Sequence, residues 1–321
     1  MELYPMTFKP ILQDKIWGGT KLKTVLGKDS LPSGTTGESW ELSAVPDNVS
    51  VVKNGNYAGL LLTDILAKYP EEVLGTKVHK KFGNQFPLLF KFIDAHKDLS
   101  IQVHPDDELA MRRHNSFGKT EMWYVMQADE RSRIIVGFKE NTSPEQYLEH
   151  LHNKNLPEIL NQVEVKKGDV YFLETGTIHA IGGGILIAEI QQTSDITYRV
   201  YDWDRVDANG NLRELHVDEA LEAMNYNVTN TRIEYHKQPN ESNKIVECPY
   251  FTTNYLPLNG SIEVNNEGDS FNVYICTEGS YTINYNGGSF EFKKGDTVLI
   301  PAAMKAITLT GEATLLQIYI L

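Results

Sequence analysis

The feature that most constrains the fold of this chain is an internal repeat. Residues 166–181 and 293–307 both begin with Lys-Lys-Gly-Asp and continue as an apolar, strand-like run, and the second copy is one residue shorter. Residues 271–276 repeat the strand-like residues 121–126 in the same way. A segment that occurs twice at separate places in a chain indicates two copies of one structural unit, here a β-barrel unit.

The two copies differ in their polar residues. Lys305 stands where the first copy has His179, and Phe271 stands where the first copy has Glu121. We therefore expect the first unit to hold the functional site and the second unit to be structural.

Length and local patterns divide the chain into two parts. A chain of 321 residues is typical of about two domains, and residues 227–245 have the polar, Asn-rich composition of a linker. We predict a mainly β protein with domains over residues 1–240 and 241–321 and a few helical insertions. One insertion covers about residues 142–163, where Ser143, Pro144 and Gln146 mark a helix start. A second helical pattern over residues 60–74 is broken at Pro70.

A strand with one polar face lies near the middle of the chain. In residues 99–104 the alternation places Ser100, Gln102 and His104 on one side. A polar inner face costs free energy unless it has an occupant, and a divalent metal bound by an amide oxygen and an imidazole is one such occupant. Gln102 and His104, with Glu121 and His179, make a plausible set of four nitrogen and oxygen ligands, which suits zinc and tolerates other divalent ions.

Charge and composition exclude several functions. The 30 basic and 43 acidic residues give a formal charge of −13, which argues against non-specific binding to nucleic acid or to an anionic membrane. No apolar run is long enough to span a bilayer, and no secretory signal is visible. Because only two cysteines occur, without metal or disulfide spacing, we expect a cytoplasmic protein.

Two further predicted strands contain charged residues, and each of these has two possible interpretations. In residues 37–43 the charges face water as in an ordinary strand, or Glu41 or Ser43 lies at the rim of a pocket. Lys91 interrupts the apolar residues 86–93. It either extends to the edge of its strand or supplies a cation for an anionic ligand.

Several motifs agree with known families. The pattern of Gly168, Asp169, Gly176 and His179 resembles the core motif of the cupin superfamily. More narrowly, the chain resembles the type I phosphomannose isomerases of the short bacterial form. The resemblance runs through residues 8–205 in the order of the family, in Trp17-Gly-Gly19, Gly37-Glu-x-Trp-Glu41, Leu89-Phe-Lys91, Leu99-Ser-Ile-Gln-Val-His-Pro105, Lys119-Thr-Glu121, Gly176-Thr-Ile-His-Ala180 and Ser194-Asp-x-x-x-Arg199.

This resemblance implies two cupin-like (jelly-roll) units and a reversible conversion of mannose 6-phosphate into fructose 6-phosphate through a cis-enediol. It also implies one zinc ion per chain, a sugar phosphate as the small-molecule partner, and a monomer or homodimer. The implied zinc ligands are His104, Glu121 and His179, with Gln102 or water in the fourth place. The implied catalytic residues are Arg199, Glu189 and Lys119, and the implied substrate-binding residues are Lys91 and Ser100.

Two other functions remain open at this stage. His104, Glu121 and His179 would also suit an Fe(II)-dependent cupin oxygenase, whose metal takes two histidines and one carboxylate. Alternatively, the protein binds a sugar phosphate without converting it. Longer relatives carry a large helical domain, and here only helices near residues 144–163 and 216–224 correspond to it.

Overall fold

The computed structural model describes residues 3–29, 31–206 and 210–321 and shows a mainly β protein, as predicted. Its strands are β1 (Ile11–Gly19), β2 (Thr36–Leu42), β3 (Ala44–Val45), β4 (Asn48–Val49), β5 (Leu88–Ala95), β6 (Ile101–Val103), β7 (Glu121–Ala128), β8 (Arg133–Phe138), β9 (Leu160–Glu164), β10 (Val170–Leu173), β11 (His179–Ile181), β12 (Ile185–Gln192), β13 (Tyr198–Tyr201), β14 (Arg232–Ile233), β15 (Asn243–Glu247), β16 (Thr252–Asn265), β17 (Asn272–Tyr285), β18 (Gly288–Lys293), β19 (Thr297–Ile300) and β20 (Ala306–Tyr319).

The helices are short and lie between the strands. They are α1 (Lys21–Thr24), α2 (Leu62–Lys68), α3 (Pro70–Leu74), α4 (Thr76–Phe82), α5 (Asp107–His114), α6 (Pro144–His152) and α7 (Val217–Ala223), with 3-10 turns at Gly55–Tyr57 and Leu156–Glu158. The predicted break at Pro70 separates α2 from α3. None of the helices in the described ranges combines the length and the apolar character of a membrane-spanning segment.

The helical insertion expected over about residues 142–163 is only partly helical. Helix α6 begins as predicted, with the Ser143 hydroxyl accepting a hydrogen bond from the amide of Gln146 and the Gln146 side chain accepting one from the amide of Ser143. The prediction is wrong for its last part, because Leu160–Glu164 forms strand β9. This segment pairs antiparallel with β8, and the ladder satisfies its backbone groups.

The N-terminal unit consists of two sheets packed face to face. The strand order is β1-β2-β5-β12-β7-β10-β14 in the seven-stranded sheet and β13-β6-β11-β8-β9 in the five-stranded sheet. Trp123 and Ile187 from the larger sheet share a buried cluster with Val136 and Ile181 from the smaller one. Both sheets have edge strands, so this unit is a pair of open sheets and not one closed cylinder.

The C-terminal unit is a six-stranded sheet folded around its own apolar interior. Strands β16, β17 and β20 each have 14 residues, and β19 pairs with β17. The interior contains Leu258, Tyr274, Ile283 and Leu309. Because apolar side chains fill this interior, the second copy of the repeat is a packed core, as expected from the loss of its polar residues.

One further core joins the two units. It includes Phe90 and Ile190 from the seven-stranded sheet and Val273 and Ile318 from the C-terminal sheet, all fully buried. The residues expected to form a linker take part in this packing, because β14 pairs with β10 and β15 pairs with β16. The seven-stranded sheet is therefore covered on one face by the C-terminal unit and faces the smaller sheet with the other.

Candidate active site

Two rows of polar side chains face each other between the sheets of the N-terminal unit. In the larger sheet, adjacent strands place Trp40, Lys91, Glu189 and Trp123 in register. In the smaller sheet, Gln102 lies in register with His179 on one side and with Arg199 on the other. Since neighbouring in-register residues point to the same side of a sheet, pairing alone brings residues from distant parts of the chain together.

At one end of these rows, His104, Glu121 and His179 form a buried cluster whose candidate ligand atoms all lie within 4.8 Å of one another. Nε2 of His104 is 3.4 Å from Oε2 of Glu121, and Nε2 of His179 is 3.4 Å from Oε1 of Glu121. In the described part of the chain this is the one group of three or more such side chains that could hold a metal ion.

The backbone orients both imidazoles toward the cluster. Nδ1 of His104 lies 2.9 Å from the carbonyl oxygen of Ile196, and Nδ1 of His179 lies 2.8 Å from that of Thr177. A carbonyl only accepts, so each Nδ1 donates its hydrogen and each neutral ring keeps a lone pair on Nε2. Metal-binding histidines are held by the same kind of outer hydrogen bond.

Burial keeps both histidines neutral. Burial, reinforced by the charge of Lys119, lowers the pKa of His104 well below its ordinary value of 6.5. Burial likewise lowers the pKa of His179 to about 4. Both rings are therefore unprotonated near neutral pH, which is the form that binds a metal.

The buried carboxylate of Glu121 favours a cation at this cluster. Its side chain is 1% exposed, and among the described residues neither carboxylate oxygen accepts a hydrogen bond. Burial raises the pKa of Glu121 to about 7, although Lys119 and Lys91 act in the opposite direction. An ionised carboxylate in such a place is costly unless it is paired or binds a metal, so the cluster suits a divalent cation.

Two further side chains border this cluster. The amide nitrogen of Gln102 lies 3.3 Å from Nε2 of His179, so Gln102 is in direct contact with the cluster. Nζ of Lys119 lies 3.1 Å from Nε2 of His104 and 3.3 Å from Oε2 of Glu121. The structure therefore brings all four predicted ligands and Lys119 to one place.

A cavity of about 400 Å³ opens beside the cluster. Gln102 and Lys119 line the cavity and contact the cluster behind it. Its other charged lining residues are Lys15, Glu38, Lys91, Glu189, Asp195, Arg199 and Arg213. The predicted substrate-binding residues Lys91 and Ser100 and the predicted catalytic residues Lys119, Glu189 and Arg199 all line this one cavity.

Lys91 lies beside Glu189 at the centre of the larger row. Its ammonium group is 3.3 Å from Oε1 of Glu189 and 4.9 Å from the ring centre of Trp40. Although burial alone would lower the pKa of Lys91, Glu189 and Glu38 raise it above its ordinary value. Lys91 is thus a permanent cation inside the protein, and the alternative of a lysine that extends to the strand edge is wrong.

Glu189 is held from two sides. Trp123 donates a hydrogen bond of 3.0 Å from its indole nitrogen to Oε2, while Lys91 lies beside Oε1. The carboxylate is 3% exposed, so it reaches the cavity in one fixed position.

Neither interpretation of residues 37–43 is right: the charges do not face water, since the side chains of Glu38 and Glu41 are 12% and 5% exposed. Glu41 is buried beside Lys28, whose ammonium group lies 2.7 Å from Oε2, so placing Glu41 or Ser43 at a pocket rim was wrong. Glu38 and Trp40 line the cavity instead. Trp40 donates a 2.7 Å hydrogen bond to Oε2 of Glu38. Burial opposes ionisation of Glu38, but Lys91 and Lys15 outweigh it and lower the pKa.

The alternation of residues 37–43 correctly separated Glu38 and Trp40 from Glu41, but Leu42 follows a register shift and packs in the core that joins the two units. Sequence reasoning also missed Lys15 and Arg213. Lys15 lies next to the Trp17-Gly-Gly19 motif, which could have indicated it, whereas Arg213 lies in a polar loop with no pattern around it.

The fold and this cluster define the protein as a member of the cupin class with a candidate metal centre. Its sequence matches the family model "Phosphomannose isomerase type I, catalytic domain" over residues 6–136 and the model "Mannose-6-phosphate isomerase, cupin domain" over residues 241–320. It is 37% identical over 317 residues to mannose-6-phosphate isomerase ManA of Bacillus subtilis, with 98% of both chains covered. The chain belongs to the type I phosphomannose isomerase family.

Other relatives agree with this assignment. The mannose-6-phosphate isomerase of Streptococcus mutans is 37% identical over 317 residues, with 96% of each chain covered. The crystal structure of the mannose 6-phosphate isomerase from Bacillus subtilis superposes with a TM-score of 0.90 at 35% identity, covering 99% of this chain and 100% of that one. The family resemblance and the prediction of cupin-like units are confirmed.

Proposed function

We propose that this protein is a mannose-6-phosphate isomerase, which interconverts mannose 6-phosphate and fructose 6-phosphate. One observation carries the proposal: a buried cluster of His104, Glu121 and His179 adjoins a cavity lined by Glu189 and Arg199, in a chain whose full-length relatives bear that enzyme's name. The reaction moves a hydrogen between C1 and C2 of the sugar, and it needs a base and a stabiliser of negative charge.

A single zinc ion would be held by His104, Glu121 and His179, with Gln102 or water as the fourth ligand. When bound, the ion would polarise a sugar oxygen or maintain the shape of the site. The fit rests on the two Nε2 lone pairs and on the buried carboxylate of Glu121, which has an ion pair with Lys119 but no hydrogen bond among the described residues.

Glu189 is the base that we assign to the proton transfer. Its carboxylate lies in the cavity wall, and its contacts with Trp123 and Lys91 hold it in place. In the proposed reaction it removes the proton from C2 and returns it at C1 through a cis-enediol. Lys91 stays protonated beside it and is a binding group, with Ser100, and not the base. Lys119 is the alternative proton carrier, because its ammonium group also faces the cavity beside His104.

Arg199 stabilises the negative oxygen of the enediolate. Its in-register partner Gln102 lies beside the cluster, so Arg199 faces the sugar from the wall next to the metal ligands. A guanidinium cannot lose its charge at neutral pH, and a fixed charge aimed at a developing anion is a strong catalytic device.

The remaining predictions about this protein follow the same proposal. We assign catalysis to residues 1–240 and a structural role to residues 241–321. Cys248 and Cys276 are free thiols, in agreement with the expected reducing cytoplasm. The partner is a small sugar phosphate and not nucleic acid, and the protein is a monomer or homodimer.

The test is an assay in which a coupled reaction detects fructose 6-phosphate formed from mannose 6-phosphate. We expect turnover with zinc-loaded protein, loss of turnover after chelator treatment, and recovery when zinc returns. Oxygen uptake by Fe(II)-loaded protein, or sugar phosphate binding without any conversion by the metal-loaded protein, would contradict the proposal.

A further inference from the structure

The cavity has the opposite charge from the rest of the protein. The chain as a whole carries a formal charge of −13. The cavity lining, however, contains five basic side chains and three acidic ones, so it has an excess of two positive charges. Such an excess in an acidic protein favours a small anion with two negative charges over a neutral ligand.

The arginines of this lining belong to one network on the smaller sheet and the loop that follows it. Arg213 donates from Nε to Oδ2 of Asp202 at 2.7 Å and from Nη2 to Oδ1 at 2.5 Å. Arg205 also pairs with Asp202 and extends to the carbonyl oxygen of Asp98. Asp202 thus holds two guanidinium groups, and of these two Arg213 lines the cavity.

Arg199 lies beside this network with part of its guanidinium unused. Nη1 donates to the carbonyl oxygen of Glu214 at 2.8 Å, while the buried Nε finds no acceptor in the described part of the chain. Burial, followed by the charge of Arg213, lowers the pKa of Arg199. Both guanidinium groups line the same cavity, and an anion bound there would offset their positive charges.

We infer that Arg213 binds the phosphate group of the substrate, while Arg199 faces the reacting end of the sugar, and that Arg213 so makes the enzyme specific for phosphorylated sugars. This inference rests on the proposed function for its substrate. The pairing with Asp202 uses two of the five N–H donors of Arg213 and leaves the guanidinium plane fixed. A planar guanidinium held in this way suits the bidentate recognition of phosphate.

Asp202 is a positioning residue in this scheme. Burial by itself would raise the pKa of Asp202, but the hydrogen bonds from Arg213 and Arg205 outweigh burial and lower it. The carboxylate is therefore ionised at neutral pH, and it holds Arg213 against the cavity wall without itself lining the cavity.

The test compares Arg213→Ala, Arg213→Lys and Asp202→Asn with Arg232→Ala. Arg232 is a matched control, because it also pairs with an aspartate, Asp169 at 3.3 Å, but does not line the cavity. For each protein, the measurements are kcat and KM for mannose 6-phosphate and the affinity for inorganic phosphate by titration calorimetry on chelator-treated protein.

We expect Arg213→Ala to raise KM on the order of 10- to 100-fold and to weaken phosphate binding by a similar factor, as the loss of a charged hydrogen bond does. The value of kcat should change much less. Arg213→Lys should restore part of the loss because it keeps the charge but not the planar geometry. Asp202→Asn should give an intermediate KM, and Arg232→Ala should match wild type.

The outcomes separate this inference from the proposed function. If wild type converts mannose 6-phosphate and Arg213→Ala keeps the wild-type KM and phosphate affinity, the role of Arg213 is wrong and the proposed function stands. If wild type converts nothing but binds inorganic phosphate through Arg213, the phosphate site stands and the proposed reaction fails. An equal loss in Arg232→Ala would also overturn the inference, because it would show a general effect of charge.

Discussion

Replacing Glu121 by glutamine should change stability in opposite directions with and without metal. The substitution keeps the shape of the side chain and removes its charge. In the metal-free protein that charge is buried, and its oxygens have no hydrogen-bond donor among the described residues. In the metal-loaded protein the same charge would be a ligand.

The magnitude follows from the pKa of the carboxyl group. Burial raises this pKa from 4.5 to about 7, and a tenfold change in an equilibrium constant is worth about 1.4 kcal/mol. The ionised group therefore costs the metal-free folded state roughly 3 kcal/mol of its free energy of unfolding.

The sign of the pH dependence is also determined. The folded protein binds this proton more tightly than the unfolded chain does, so metal-free wild type loses stability as pH rises from 4.5 to 7. Glu121→Gln lacks this loss. Without metal, the variant should be more stable than wild type by up to about 3 kcal/mol at pH 8 and by less than about 1 kcal/mol at pH 5.

Thermal melting of chelator-treated protein at the two pH values measures the effect. A difference of this size moves the midpoint by several degrees, at about 2–4 °C per kcal/mol. With excess zinc the order should reverse, because binding stabilises the protein that keeps its ligand. Glu291→Gln, at an exposed position of β18 in the C-terminal unit, is the control and should stay within about 0.5 kcal/mol. A metal-free variant that melts below wild type at pH 8, or an equal difference at both pH values, would refute the reasoning.

Three further predictions test other parts of the site. Arg199→Ala should lower turnover on the order of 100-fold or more, as loss of one fixed charge partner does, with unchanged zinc content by elemental analysis; full turnover would show that Arg199 has no catalytic role. His104→Ala should lose stoichiometric zinc because its Nε2 faces the cluster, and a variant that keeps one zinc per chain would exclude His104 as a ligand. Glu41→Ala should cost on the order of 3 kcal/mol of stability, because Lys28 loses its carboxylate partner and keeps only the carbonyl oxygen of Gly295, while KM stays at the wild-type value. A raised KM with normal stability would show that Glu41 contacts the substrate.

Local features of the fold could be predicted from the sequence because their physical causes act over a few residues. The capping residues around Ser143 and the helix break at Pro70 act within a few positions of the chain, and both occur where expected. The repeat identified two β units because each copy keeps the apolar pattern of its core. Strand β9 was missed because its conformation depends on pairing with β8 and not on its own residues.

The candidate site shows the same division between what local sequence determines and what strand pairing determines. The resemblance in separate motifs named His104, Glu121, His179, Gln102 and Arg199, and their chemistry is a property of residue type. The sequence could not show whether these side chains lie close together. Residues far apart in the chain become neighbours only through the register of paired strands.

By itself, the sequence determined which residue types were available and which strands would have a polar face, because alternation and composition are local properties of the chain. Only the tertiary structure decided which face looks inward. The packing of the two sheets turned Glu38 toward the cavity and Glu41 toward Lys28, and the loop after β13 placed Arg213 beside Arg199. Such choices depend on what covers each face of a sheet, and that information lies in distant parts of the chain.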